Sequence, residues 1–199
     1  KKLARDKNIK IKPIYGMEAY TESVTGTGEK YHHMVMLARN EAGLKNLFTI
    51  SNLSFENMYD GKGIVKPEVL KEYKEGIIFL SACMQGELSF LLRNGEADKV
   101  KQFMDFMRDT EFFIELIDIG DPEQEELNGK LLDVSEKYKI PAVVTPDAHY
   151  FQEDKWWYPT LWASSWGSTL DQIEEKYGLS KQDLSLPSPK DIEERYPAH

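Results

Sequence analysis

Ala142-Val143-Val144-Thr145-Pro146-Asp147-Ala148-His149-Tyr150 sets a carboxylate and an imidazole one residue apart, directly after a short apolar run. The run has the length and composition of a strand, so Asp147 and His149 are expected at a strand's exit. Residues i and i+2 of an extended chain share a face, which lets both side chains reach one metal ion or phosphate. Barrel enzymes keep their chemistry at that end of their strands. Read alone, the pair equally fits a local arrangement in which Asp147 caps the next turn and His149 packs or hydrogen-bonds nearby.

Outward from this stretch, apolar runs of strand length alternate with helical patterns, the signature of a β/α layered or barrel architecture. Strands are expected over Ile11 to Tyr20, Tyr31 to Ala38, Gly76 to Ser81, Phe112 to Ile117 and Ala142 to Thr145. Helices are expected over Glu41 to Leu53 (apolar at Leu44, Leu47, Phe48 and Leu53) and over Ala97 to Arg108 (Val100, Phe103, Met104 and Met107). A third, Pro122 to Tyr138, starts with a proline suited to the first turn and with acidic Glu123, Glu125 and Glu126 at its positive end. After Trp166 the chain is more polar, with turn signals at Gly167 and Gly178, and reads as a peripheral extension.

With 199 residues the chain can bury a sizeable core as one domain. Its 25 Lys plus Arg against 34 Asp plus Glu give a net charge of -9, so the surface as a whole repels a phosphate backbone. Nucleic acid must then be met through a local site, a metal or a neighbouring domain. One cysteine excludes an internal disulfide, and no secretory signal or membrane span is visible, which points to the cytoplasm. Lys1-Lys2-Leu3-Ala4-Arg5-Asp6-Lys7-Asn8 reads as the last turns of a basic, solvated helix, and the chain as a fragment.

A second constellation joins Gly16-Met17-Glu18 to Tyr31-His32-His33 through the glycine-rich Thr25-Gly26-Thr27-Gly28. If that stretch turns a hairpin, residues whose numbers sum to about fifty-three face one another, and Glu18 lies within a register step or two of His33. His32 competes with His33, because adjacent strand residues point to opposite faces. Cys83 follows Ile77-Ile78-Phe79-Leu80-Ser81-Ala82 and also sits at a strand exit, either as a small buried hydrophobe or as a thiolate ligand. Thiolate, imidazole and carboxylate together suit zinc, manganese or iron. Glu115, Asp118 and Asn128 are lesser candidates, and Trp156, Trp157, Trp162 and Trp166 form either a base-stacking surface or a core and partner cluster.

Four segments in order resemble one family. They are Ile11-Lys12-Pro13-Ile14-Tyr15-Gly16-Met17-Glu18-Ala19-Tyr20, the run from His33 to Leu47, Ser81-Ala82-Cys83-Met84-Gln85-Gly86-Glu87, and Pro146-Asp147-Ala148-His149-Tyr150. Together they resemble the PHP (polymerase and histidinol phosphatase) domain of bacterial DNA polymerase III alpha subunits, and Phe113-Ile114-Glu115-Leu116, Pro122-Glu123-Gln124 and Asn128 extend the likeness. The resemblance implies an α/β fold, an incomplete distorted seven-stranded β/α barrel of the PHP type missing its first strands. It implies a PHP domain over residues 1–166, with 167–199 as its end and the start of a connection to a polymerase region. It also implies a cluster of divalent ions (Zn, Mn or Mg) held by Glu18, His33, Cys83, Asp147 and His149, with Asp147 and His149 catalytic.

The family's His-x-His motif, a further acidic ligand and another histidine lie upstream of the segment matching Ile11 and have no counterpart in this chain. Trp156-Trp157-Tyr158 stands where family members usually carry polar residues and a histidine. By the same resemblance the parent protein is a DNA-directed DNA polymerase that meets DNA, the clamp and a proofreading subunit, with metal-dependent 3'-5' exonuclease chemistry in the PHP domain. Two rival readings stand beside it: a non-catalytic scaffold that docks the proofreading subunit, and a free-standing phosphatase of small phosphate esters.

Overall fold

The structure, a computed structural model, describes residues 12–151, 157–178 and 182–195. The basic helix expected at Lys1 to Asn8, together with Ile11 and Trp156, lies outside the described residues. The chain divides into two units, Lys1–Phe113 and Ile114–His199.

In the first unit, β1 (Gly16–Thr21) and β2 (His32–Ala38) pair antiparallel from Gly16↔Leu37 to Thr21↔His32, the register expected of the hairpin. Gly26 and Gly28, at φ 69° and 85°, supply the left-handed conformations its connection needs. β1 begins at Gly16 rather than Ile11, because Pro13 has no N–H to give a ladder.

A hairpin that the apolar pattern did not announce follows: β3 (Met58–Tyr59) and β4 (Lys62–Val65). Its turn is Asp60-Gly61, both residues at positive φ, the two-residue turn whose twist matches the flanking strands. β4 runs parallel to β1, while β5 (Ile77–Leu80) pairs antiparallel with β2 and parallel with the start of β6 (Glu111–Ile117). The strand order in this unit is β3-β4-β1-β2-β5-β6.

Helices α1 (Glu41–Ser54), α2 (Pro67–Glu72), α3 (Glu87–Arg93) and α4 (Ala97–Met107) connect these strands. On α4 the four expected residues, Val100, Phe103, Met104 and Met107, are buried, each contributing on the order of 2 kcal/mol of apolar transfer energy. On α1 the buried face is Gly43, Leu47, Ile50 and Ser54, and Phe48 points to solvent. The reason is a close approach: a Cβ on Gly43 would lie 1.8 Å from the Gly76 carbonyl oxygen, so that backbone contact and not the bulkiest residue sets the helix's rotation.

In the second unit the remainder of β6 pairs parallel with β7 (Ala142–Thr145), from Ile114↔Ala142 to Ile117↔Thr145. Helix α5 (Pro122–Tyr138) joins them as a right-length crossover, capped by Asp121 accepting from the Glu123 N–H at 2.9 Å, with Leu127, Leu131 and Val134 buried. Helices α6 (Tyr158–Trp166), α7 (Leu170–Tyr177) and α8 (Pro189–Arg195) follow. The region after Trp166 is less peripheral than its polarity suggests. Residues 182–186 run beside the β7 exit, where the His149 N–H donates to Leu184 O at 2.8 Å and Tyr150 bridges Ser185. The whole is the mixed α/β fold expected of an incomplete PHP-type barrel.

Candidate metal centre

Strand alternation turns Glu18 on β1 and His33 on β2 to the same face, one diagonal step apart, since Tyr20 is the direct partner of His33 and Val35 of Glu18. His33 Nδ1–H donates to Glu18 Oε1 at 2.7 Å. Cys83 Sγ stands 3.7 Å from the same nitrogen. The ligand atoms of Glu18, His33 and Cys83 all lie within 4.8 Å of one another, close enough for one divalent ion to span them. His33's side chain is 15% exposed and Glu18's 54%, so the cluster opens to solvent on its Glu18 side.

The loop that delivers Cys83 needs two unusual backbones. Ala82 is left-handed at φ 61°, and Gly86 passes so near Ser81 that a Cβ there would lie 2.0 Å from the Ser81 carbonyl oxygen. The Gly86 N–H closes the turn on Cys83 O at 2.8 Å, and Gln85 O accepts from the His33 N–H at 3.1 Å. Cysteine loop and histidine strand are thus tied together at the backbone.

His32 takes the other role open to it. It is buried, its Nε2 hydrogen-bonds Thr27 Oγ1 at 2.8 Å, and its ring sits edge-on to Phe90. Burial lowers its pKa, against the raising influence of Glu87 and of Gln85 O.

Sequence reasoning passed over Glu87, whose carboxylate is buried yet accepts from Ser23 Oγ, the Val24 and Thr25 N–H groups and Thr25 Oγ1 at 2.7–2.8 Å. It pins the glycine-rich connection that orients β1 and β2. Its signal in the sequence was only its place at the start of a helix just after Gly86.

Burial alone would depress the His33 pKa, but hydrogen bonding to Cys83 and Glu18 and their negative charge outweigh it and raise the value to about 9. The donor set of one thiolate, one imidazole and one carboxylate fits a borderline divalent ion such as zinc or manganese.

Asp147 and His149 belong to the second unit. The shared-face argument for them does not hold, because β7 ends at Thr145 and Asp147 turns left-handed at φ 46°. Instead the His149 Nδ1–H donates to the Asp147 carbonyl at 2.6 Å, which leaves Nε2 with the lone pair. Both side chains are partly exposed, at 37% and 39%, and the Tyr158 ring lies 5.3 Å from the imidazole. Burial first, then the Asp147 carboxylate and Tyr150, raise the pKa of the Tyr158 hydroxyl.

Of the lesser candidates, Glu115 is buried and accepts from Thr145 Oγ1 at 2.6 Å, linking β6 to β7, and Asn128 Nδ2 donates to Ile117 O at 2.8 Å, tying α5 to the end of β6. Trp162 packs against Tyr158 at 5.4 Å between ring centroids, while Trp157 is half exposed.

Comparison with known proteins bears on the family of the chain. The PHP domain family matches residues 1–118. DNA polymerase III subunit alpha of Aquifex aeolicus is 33% identical over 198 residues, covering 90% of this chain and 17% of the relative. The protein of the same name from Treponema pallidum is 34% identical over 72% of this chain and 13% of its own length, and that from Thermus aquaticus is 27% identical over 94% and 16%. The chain thus spans only about a sixth of the length of the relatives it matches. With more than half its residues matched by one family and its Glu-His-Cys cluster lying within the matched region, the chain belongs to the PHP domain family.

Proposed function

We propose that this chain is the PHP domain of a replicative DNA polymerase III alpha subunit, over residues 1–166, with 167–199 leading toward the polymerase region. In this reading Glu18, His33, Cys83, Asp147 and His149 are ligands for divalent ions, Zn, Mn or Mg, that serve phosphodiester hydrolysis as a 3'-5' proofreading exonuclease. The observation that carries it is the convergence of three ligand atoms of three chemical types within 4.8 Å, from segments fifteen and fifty residues apart in sequence. The parent polymerase would synthesise DNA in the cytoplasm, with the clamp and a proofreading subunit as partners; no helix among the described residues is long and apolar enough to cross a membrane.

A divalent ion bound there supplies a water of lowered pKa and offsets negative charge on phosphoryl oxygens. The protein's share is ligation and orientation. Glu18 is anionic and exposed, His33 must surrender its Nδ1 proton, and Cys83 is held at the same nitrogen by the backbone ties of its loop. His149 presents Nε2 because Nδ1 is committed to the Asp147 carbonyl.

One observation favours a second reading. The 2.7 Å hydrogen bond between Glu18 and His33 satisfies both groups without a metal, as a non-catalytic remnant that docks a separate proofreading subunit would retain. Asp147→Asn in the complete protein separates the two. A nuclease rate reduced by about a hundredfold or more with the fold intact supports hydrolysis. An unchanged rate with altered stability or partner affinity supports the scaffold.

A further inference from the structure

Beside the Glu18, His33 and Cys83 cluster, the first unit carries aromatic rings and ammonium groups that the cluster does not use. Tyr20 lies edge-on to His33 with 5.2 Å between ring centroids, and Tyr31 stacks parallel to the same imidazole at 6.3 Å. From β4, Lys62 sets its Nζ 4.8 Å from the Tyr20 ring centroid and 4.5 Å from that of Tyr31, and donates to the Tyr31 hydroxyl at 2.5 Å. Tyr59, the hairpin partner of Lys62, lies 6.4 Å from Tyr31 and is 44% exposed, with Lys30 Nζ 5.5 Å from its ring. The rings therefore run in sequence from the imidazole outward to solvent, with a cation at two of the steps.

We propose that Tyr31, Tyr59, Lys62 and Lys30 form a subsite for a single-stranded oligonucleotide leading to the Glu18–His33–Cys83 cluster. The substrate class rests on the phosphodiesterase reading above. Two features select this ligand. An exposed ring such as Tyr59 stacks on bases of any sequence, and the ammonium groups beside it meet the phosphates. The chain as a whole is repulsive to phosphate at a net charge of -9, so a phosphate chain needs local cations, and Lys62 and Lys30 supply two of them beside this cluster. Lys62 is also held in advance by the Tyr31 hydroxyl and two ring faces, which lowers the ordering cost of using its remaining donors on a ligand. The Asp60-Gly61 turn, with both residues left-handed, is what brings Tyr59 and Lys62 side by side.

The test is binding of fluorescein-labelled octathymidylate to the full chain by fluorescence anisotropy, at low salt with chelator present to prevent turnover. Lys62→Gln and, at an exposed ring, Tyr59→Ser should each weaken binding by about fivefold or more, Lys62→Gln should flatten its salt dependence, and Lys62→Arg should restore it. Binding as tight as wild type in both variants, with circular dichroism and melting unchanged, overturns the subsite, as does a wild-type chain that binds no oligonucleotide. Hydrolysis of bis(p-nitrophenyl) phosphate by the manganese-loaded wild-type chain reports separately on the phosphodiesterase reading. No hydrolysis with variant-sensitive binding keeps the subsite and removes the hydrolase; hydrolysis with variant-insensitive binding does the reverse.

Discussion

At the scale of single residues the account turns on His33. Its folded-state pKa of about 9 lies above the ordinary 6.5, so in the metal-free protein its protonation contributes stability that is fully present below 6.5 and is lost as pH rises through 9. Metal must compete with that proton. Metal affinity is therefore expected to rise about tenfold per pH unit between 7 and 9 with release of a proton, measurable by calorimetry in buffers of different ionisation enthalpy. Affinity flat across that range would mean that His33 is not a ligand. Glu87 is structural at the same scale: four donors converge on its buried carboxylate, and Glu87→Leu should cost about 3 kcal/mol or more by denaturant melting, since it strands them. A loss below about 1 kcal/mol would contradict the pinning role.

At the scale of elements, the loop from Ser81 to Glu87 decides whether the thiolate reaches the imidazole. Gly86→Ala places a methyl 2.0 Å from Ser81 O, so the turn must shift. That variant should lose metal while retaining most of its secondary structure by circular dichroism, and unaltered metal content would show that the turn does not position Cys83. Much of this level was legible in the chain. The β1–β2 register followed from Gly26 and Gly28 spacing, and the buried faces of α4 and α5 followed from 3.6-residue periodicity. The face of α1 was not, because Gly43 meets Gly76 through backbone atoms that no hydropathy pattern records. The β3–β4 hairpin was hidden by strands too short to alternate, although Asp60-Gly61 carried its turn chemistry. The choice of His33 over His32 needed the register to within one residue, and Asp147's left-handed backbone defeated the strand argument at the other pair.

At the scale of the molecule, a chain of net charge -9 gathers donors for a cation at one face of its first unit and presents Asp147 and His149 at a strand exit of its second. The central claim is that Glu18, His33 and Cys83 bind metal. The most direct measurement is the metal content of the purified complete protein by plasma mass spectrometry, beside Glu18→Gln, His33→Ala and Cys83→Ser variants shown to be folded. The account predicts a stoichiometric transition metal in the wild type that falls in each variant. A folded wild type that takes up none when offered zinc or manganese, or three variants that keep it undiminished, would contradict it.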